Sequence, residues 1–119
     1  MATKAEVRNQ ALELLGVLRL GQSAQSQDAT TIETAYDEIY ADLKKDGLAT
    51  WASTAEVPAE LVPHVVHLVA LSRANRYGIS NDRYQRILLE AGENGWKSKR
   101  EIRRLVTPDY ESLDEPTDY

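Results

Sequence analysis

Apolar residues recur at helical spacing in four stretches of the chain, and no window alternates convincingly with period two. The first stretch opens at "TKAE", where Thr3 can cap a helix and Glu6, three residues on, completes a capping box. Val7, Ala11, Leu14, Leu15 and Leu18 follow helical spacing, and Gly16 is placed as a stop, so this helix is predicted to end near Leu15. The polar run "LRLGQSAQSQ", residues 18–27, reads as an exposed loop. Asp28 or Ser26 then caps a second helix with Ile32, Ala35, Tyr36, Ile39 and Leu43 on one side and Glu33, Asp37, Glu38 and Asp42 on the other. Lys44 and Lys45 suit the negative end of its dipole, and Gly47 closes it.

The third stretch, "LVPHVVHLVALSRANRYG", is apolar on most faces. Such a helix is central, and its expected cover is helices one, two and four. Pro58 fits a first helical turn; at Pro63 the helix either has only just begun, near Glu60, or bends. Gly78 stops it. Ser80 caps the fourth stretch, in which Tyr84, Ile87, Leu88 and Ala91, then Ile102 and Leu105, keep one face. The glycines of "GENG", residues 92–95, cost roughly 1 kcal/mol each in a helix interior. The shared face nonetheless predicts one long, kinked helix to about Leu105. Pro108 forbids a simple continuation. The fold class expected is all-α: a four-helix, bundle-like domain over 1–106, with a long loop between helices 1 and 2 and an extended acidic tail over 107–119.

Charge sharpens that division. Of 19 acidic residues, five (Asp109, Glu111, Asp114, Glu115 and Asp118) follow Val106, and none of the 14 Lys and Arg residues do. The first 106 residues therefore hold 14 charges of each sign, and the tail supplies the whole net charge of −5. A neutral body is a poor duplex binder, because that affinity comes mostly from neutralising phosphates. No apolar run approaches the ~20 residues that span a bilayer, so no membrane partner is expected. "MATKAEVRNQ" lacks the apolar centre of a signal peptide, which predicts synthesis in the cytoplasm without export. With no cysteine, disulfides and thiolate chemistry are excluded.

His64 and His67, at i and i+3, can share a helix face as metal ligands, with Glu60 the available third. They lack the H-E-x-x-H arrangement, and polar contacts at the helix edge are the expected role. The acids of the second helix read as a solvated face rather than a carboxylate pair with one raised pKa. No G-x-S-x-G and no phosphate-cradling glycine loop is present, and neither a catalytic residue nor a cofactor is expected. The segment "WKSKREIRR" gathers Lys97, Lys99, Arg100, Arg103 and Arg104 beside Trp96. It is an ordinary basic helix end, a contact for an acidic protein surface or for the acidic tail of another copy, or, least, a nucleic-acid patch. Tyr110, Leu113 and Tyr119 place apolar handles in the acidic tail, as in segments that order on a partner.

The runs "EVRNQALELLGV", "IETAYDEIYADLKKDGLATW" and "VPAELVPHVVHLVALSRANRYG", followed by a helix with a basic end, resemble the head-to-tail adaptor (connector) family of tailed bacteriophages. The nearest branch is the packaged-DNA-stabilising adaptors of short-tailed phages. The resemblance covers roughly residues 3–105 and rests on short hydrophobic patterns. It implies a structural virion protein at the head–tail junction: a helical subunit in a twelve-copy ring beneath the portal. That ring extends and seals the channel through which packaged DNA passes, without sequence-specific binding, and docks the tail or nozzle protein. In such proteins the C-terminal segment reaches along the portal or a neighbouring subunit, which implies that role for Tyr110, Leu113 and Tyr119. Arg73 and Arg76, at the polar end of the third helix, are the other expected portal or neighbour contacts. Two different readings compete. One is a small nucleic-acid-binding or regulatory helical protein using residues 97–104; the other is a virion-borne cell-wall hydrolase, with Glu60 as its acid.

Overall fold

The computed structural model describes residues 2–19 and 24–106, and among them helix is the only regular structure apart from one isolated β-bridge. The tail expected over 107–119, with Tyr110, Leu113 and Tyr119, lies outside the described residues. Five α-helices follow one another: α1 (Lys4–Leu14), α2 (Ser26–Lys45), α3 (Val62–Arg73), α4 (Asn81–Ala91) and α5 (Trp96–Val106).

α1 starts as its sequence dictates. Thr3 Oγ1 accepts from the Glu6 amide at 3.2 Å, and Glu6 Oε1 accepts from the Thr3 amide at 2.9 Å. The Thr3 amide bond holds the Glu6 carboxyl below its ordinary value. α1 buries Val7, Ala11 and Leu12, and Leu14, one of the residues expected inside, is only half-buried. Leu18, which helical spacing grouped with the apolar face and which also opens the stretch expected to be an exposed loop, is a core residue, and Ser26 and Gln27 already belong to α2. α2 also corrects its predicted cap: Gln25 occupies the N-cap position and makes no side-chain cap bond, so neither Ser26 nor Asp28 caps it. Asp28 sits in the first turn, where an acid suits the dipole, and accepts from the Tyr77 hydroxyl at 3.4 Å.

Pro63 lies in the first turn of α3, after a 3-10 turn over Ala59–Leu61, so its missing N–H disturbs nothing and no bend is needed. α3 is the spine. α1 and α2 pack on one another, α4 and α5 do the same, and each of the four packs on α3. Val65, Val66, Leu68, Val69 and Ala70 are buried there, which removes apolar surface from water around most of its circumference. Each such valine or leucine contributes roughly 1.5–3 kcal/mol. An antiparallel bridge also ties Ala2 to Val57, at 3.1 and 2.8 Å, and brings the segment before α3 onto the start of α1.

The long fourth helix is corrected to two. Gly92 (φ 79°), Asn94 (φ 59°) and Gly95 (φ 78°) all take positive φ, which no α-helix accommodates, and α5 leaves this turn in a new direction. Ile87 and Ala91 of α4 and Ile102 of α5 all remain buried. Ser98 shares the buried side of α5 at 1% exposure, and its Oγ has no hydrogen-bond partner among the described residues. An unpaired buried hydroxyl costs about 1–3 kcal/mol. Ser98→Ala is therefore expected to raise the unfolding free energy by about 1 kcal/mol, read as a later urea midpoint at unchanged slope.

Candidate functional site

Glu33, Asp37, Glu38 and Asp42, the four carboxylates along the polar edge of α2, are more than a solvated face. Each meets a cation from another helix: Asp37 takes Lys4 at 2.8 Å, Glu33 takes Arg8 at 2.6 Å, Glu38 takes Arg73 at 3.0 Å and Asp42 takes Lys99 at 2.7 Å. α2 is thereby fastened to α1, α3 and α5 along its polar edge. Exposed pairs of this kind contribute little singly, on the order of 0–1 kcal/mol, but four in a row fix the register of one helix against three.

This row also uses side chains expected to face outward. Arg73, an expected neighbour contact, is held by Glu38, and Arg76 is exposed in the 3-10 turn that follows. Glu60, the acid of the hydrolase reading, is exposed on a 3-10 turn rather than set in an apolar pocket.

His64 is half-buried, and burial depresses its pKa, so it is neutral at pH 7. His67 Nδ1 lies 2.6 Å from the Pro63 carbonyl, a polar contact along its own helix. No cluster of three His, Asp or Glu fit to hold a metal ion occurs among the described residues. A cleft of about 570 Å³ opens between α2, α3 and α4, floored by Ile39, Leu68, Leu71 and Leu88. The Asp42–Lys99 pair stands at its edge, and the Ser72 hydroxyl there is committed to the Val69 carbonyl at 2.7 Å.

The basic segment is divided in use. Lys99 is on Asp42, and Arg104 makes bonds of 3.1 and 3.0 Å to Glu101, whose carboxyl the Arg104 bond holds low. Arg103 is exposed. Lys97 and Arg100 lie over the Trp96 ring, at 5.7 and 5.0 Å from its centroid, within cation–π range, and Arg100 Nε is also 3.8 Å from Glu101. Lys97 Nζ also donates to the Leu89 carbonyl at 3.3 Å, which satisfies one of the last open carbonyls of α4.

These contacts build a defined surface at the α4–α5 joint. Leu89 is 72% exposed and Trp96 49%, and among the described residues they are the two large hydrophobic side chains left in water. They line one shallow groove with Leu88 and Lys97. Trp96 and its cations were visible in the sequence. Leu89 was missed, although its position in "RILLE" gives a signal: with Ile87 inward, a residue two positions on points away from the core. No helix among the described residues is long and apolar enough to cross a membrane. Compared with protein-family models, curated proteins and solved structures, the chain matches none.

Proposed function

We infer that this chain is a structural virion subunit, a head-to-tail adaptor that forms a ring beneath the portal of a tailed bacteriophage. In that role it extends and seals the DNA channel and offers the tail a docking surface. The observation that carries the reading is the α4–α5 joint, where Leu89 and Trp96 stand in water on a turn locked to the core. A closed ring is built from heterologous contacts, one flank of each copy against the opposite flank of the next. A rigid aromatic and an aliphatic side chain flanked by cations are suited to the centre of such a contact. The pattern resemblance over residues 3–105 supplies the identity of the ring. The balanced charge of the first 106 residues agrees with a channel wall that DNA slides past rather than grips.

Native mass spectrometry of the chain with and without the portal protein of the same phage tests this. Twelve copies are expected to add to each portal ring. Leu89→Ser with Trp96→Ser is expected to abolish the addition while the helical circular dichroism stays unchanged. No complex with portal at any ratio would overturn the reading.

A further inference from the structure

The Leu89–Trp96 surface has an occupant written into the same chain. We propose that in the free subunit residues 107–119 fold back along α5 and cover the α4–α5 joint of their own chain, with Tyr110 and Leu113 against Trp96 and Leu89 and the tail carboxylates on Lys97 and Arg100.

Charge complementarity is the first argument. The tail carries five acids and no Lys or Arg, and its apolar residues sit among them: Tyr110 lies between Asp109 and Glu111, and Leu113 precedes Asp114 and Glu115. The joint presents an exposed indole and leucine with two cations over the indole, against one acid, Glu93, in the same groove. Lys99 is held by Asp42, whereas Lys97 and Arg100, the latter also 3.8 Å from Glu101, lie over the indole, where an acidic, aromatic segment gains both kinds of contact.

Reach is the second. The chain leaves α5 at Val106, ten positions after Trp96, a distance of about 15 Å at helical rise. An extended segment advances about 3.3 Å per residue, so five residues retrace that distance and Tyr110 and Leu113 straddle the indole. Pro108 keeps the segment from simply prolonging α5. A tether this short gives a local concentration on the order of millimolar, which favours the chain's own tail over a second copy's. If the joint is also the ring contact, its cover delays self-association until a partner displaces the tail. The fold-back itself concerns the isolated chain and stands or falls without the ring.

Acrylamide quenching of tryptophan emission reads the cover directly, since Trp51 is buried and Trp96 is the indole open to the quencher. In the full chain at low salt Trp96 is expected to be shielded. Tyr110→Ser with Leu113→Ser, and separately Lys97→Glu with Arg100→Glu, are each expected to raise its quenching constant roughly threefold as the docked population is lost. High salt is expected to raise it in the wild type as well. Shielding independent of protein concentration, in a species that sediments as a monomer, supports docking within one chain. Shielding that grows with concentration would overturn it in favour of exchange between copies. Equal quenching of wild type and both variants would overturn the cover altogether.

Discussion

Replacing Trp51 by alanine is expected to lower the unfolding free energy by about 3–5 kcal/mol, among the largest single losses the core permits. The side chain is 7% exposed and performs two tasks. Its ring fills the space beside α2 and meets Tyr40 edge-on, with centroids 5.8 Å apart at 67°. Its Nε1–H donates to the Tyr36 hydroxyl at 3.0 Å. The backbone carbonyl of the same residue, which the substitution retains, accepts from the Tyr40 hydroxyl at 2.7 Å and holds the segment between α2 and α3 against α2. Burial raises the Tyr36 pKa, so its hydroxyl is neutral at pH 7 and accepts from the indole. Trp51→Phe keeps most of the apolar bulk but strands that buried hydroxyl, and about 1–3 kcal/mol is expected for it. Urea unfolding followed by far-ultraviolet circular dichroism separates the two variants. A loss below about 1 kcal/mol for Trp51→Ala would show that the segment is anchored elsewhere.

The sequence made some of this legible because the signal was local. Thr3 and Glu6 are three residues apart, and the capping box they form needs nothing from the rest of the chain. The burial of Val65, Val66, Leu68 and Val69 follows from the absence of a polar face on which α3 could be solvated. Trp96 and its flanking cations were equally visible, being neighbours in sequence.

What was hidden depended on partners distant in sequence. Glu33, Asp37, Glu38 and Asp42 read as a solvated edge because their cations come from α1, α3 and α5, from 25 to 57 positions away. Ala2 and Val57 pair across a similar separation with no strand pattern to announce it. The division of α4 from α5 was concealed for a different reason. Ile87, Ala91 and Ile102 all face the core, and a periodic face cannot distinguish one helix from two that share a neighbour. Propensity pointed to the break and was outweighed by the wrong observation. Leu18 was legible from its helical spacing with Val7, Ala11 and Leu15, although the polar stretch it opens pointed the other way.

That break is fixed by one close approach, and Gly95→Ala is expected to cost about 2–5 kcal/mol. Two effects add. Gly95 has φ 78°, in the left-handed region, where a Cβ costs about 1–2 kcal/mol. A Cβ at this position would also collide with Cδ2 of Leu68, which is 3% exposed and packed within the core side of α3. Overpacking of that kind costs a further 1–3 kcal/mol, roughly, because buried neighbours must leave their rotamers. Gly47 provides the control. It has a similar φ of 76°, but nothing lies within 4 Å of the Cβ it would gain, so Gly47→Ala carries the conformational cost alone. The difference between the two variants in urea unfolding measures the approach of the α4–α5 turn to α3. Adding Leu68→Ala to Gly95→Ala should recover part of the loss through coupling between neighbours, typically about 0.5–3 kcal/mol. Equal costs for Gly95→Ala and Gly47→Ala would mean that Leu68 yields freely. In that case the turn that presents Trp96 is set by its own dihedral angles, and the packing of α3 beneath it contributes nothing to the position of the exposed indole.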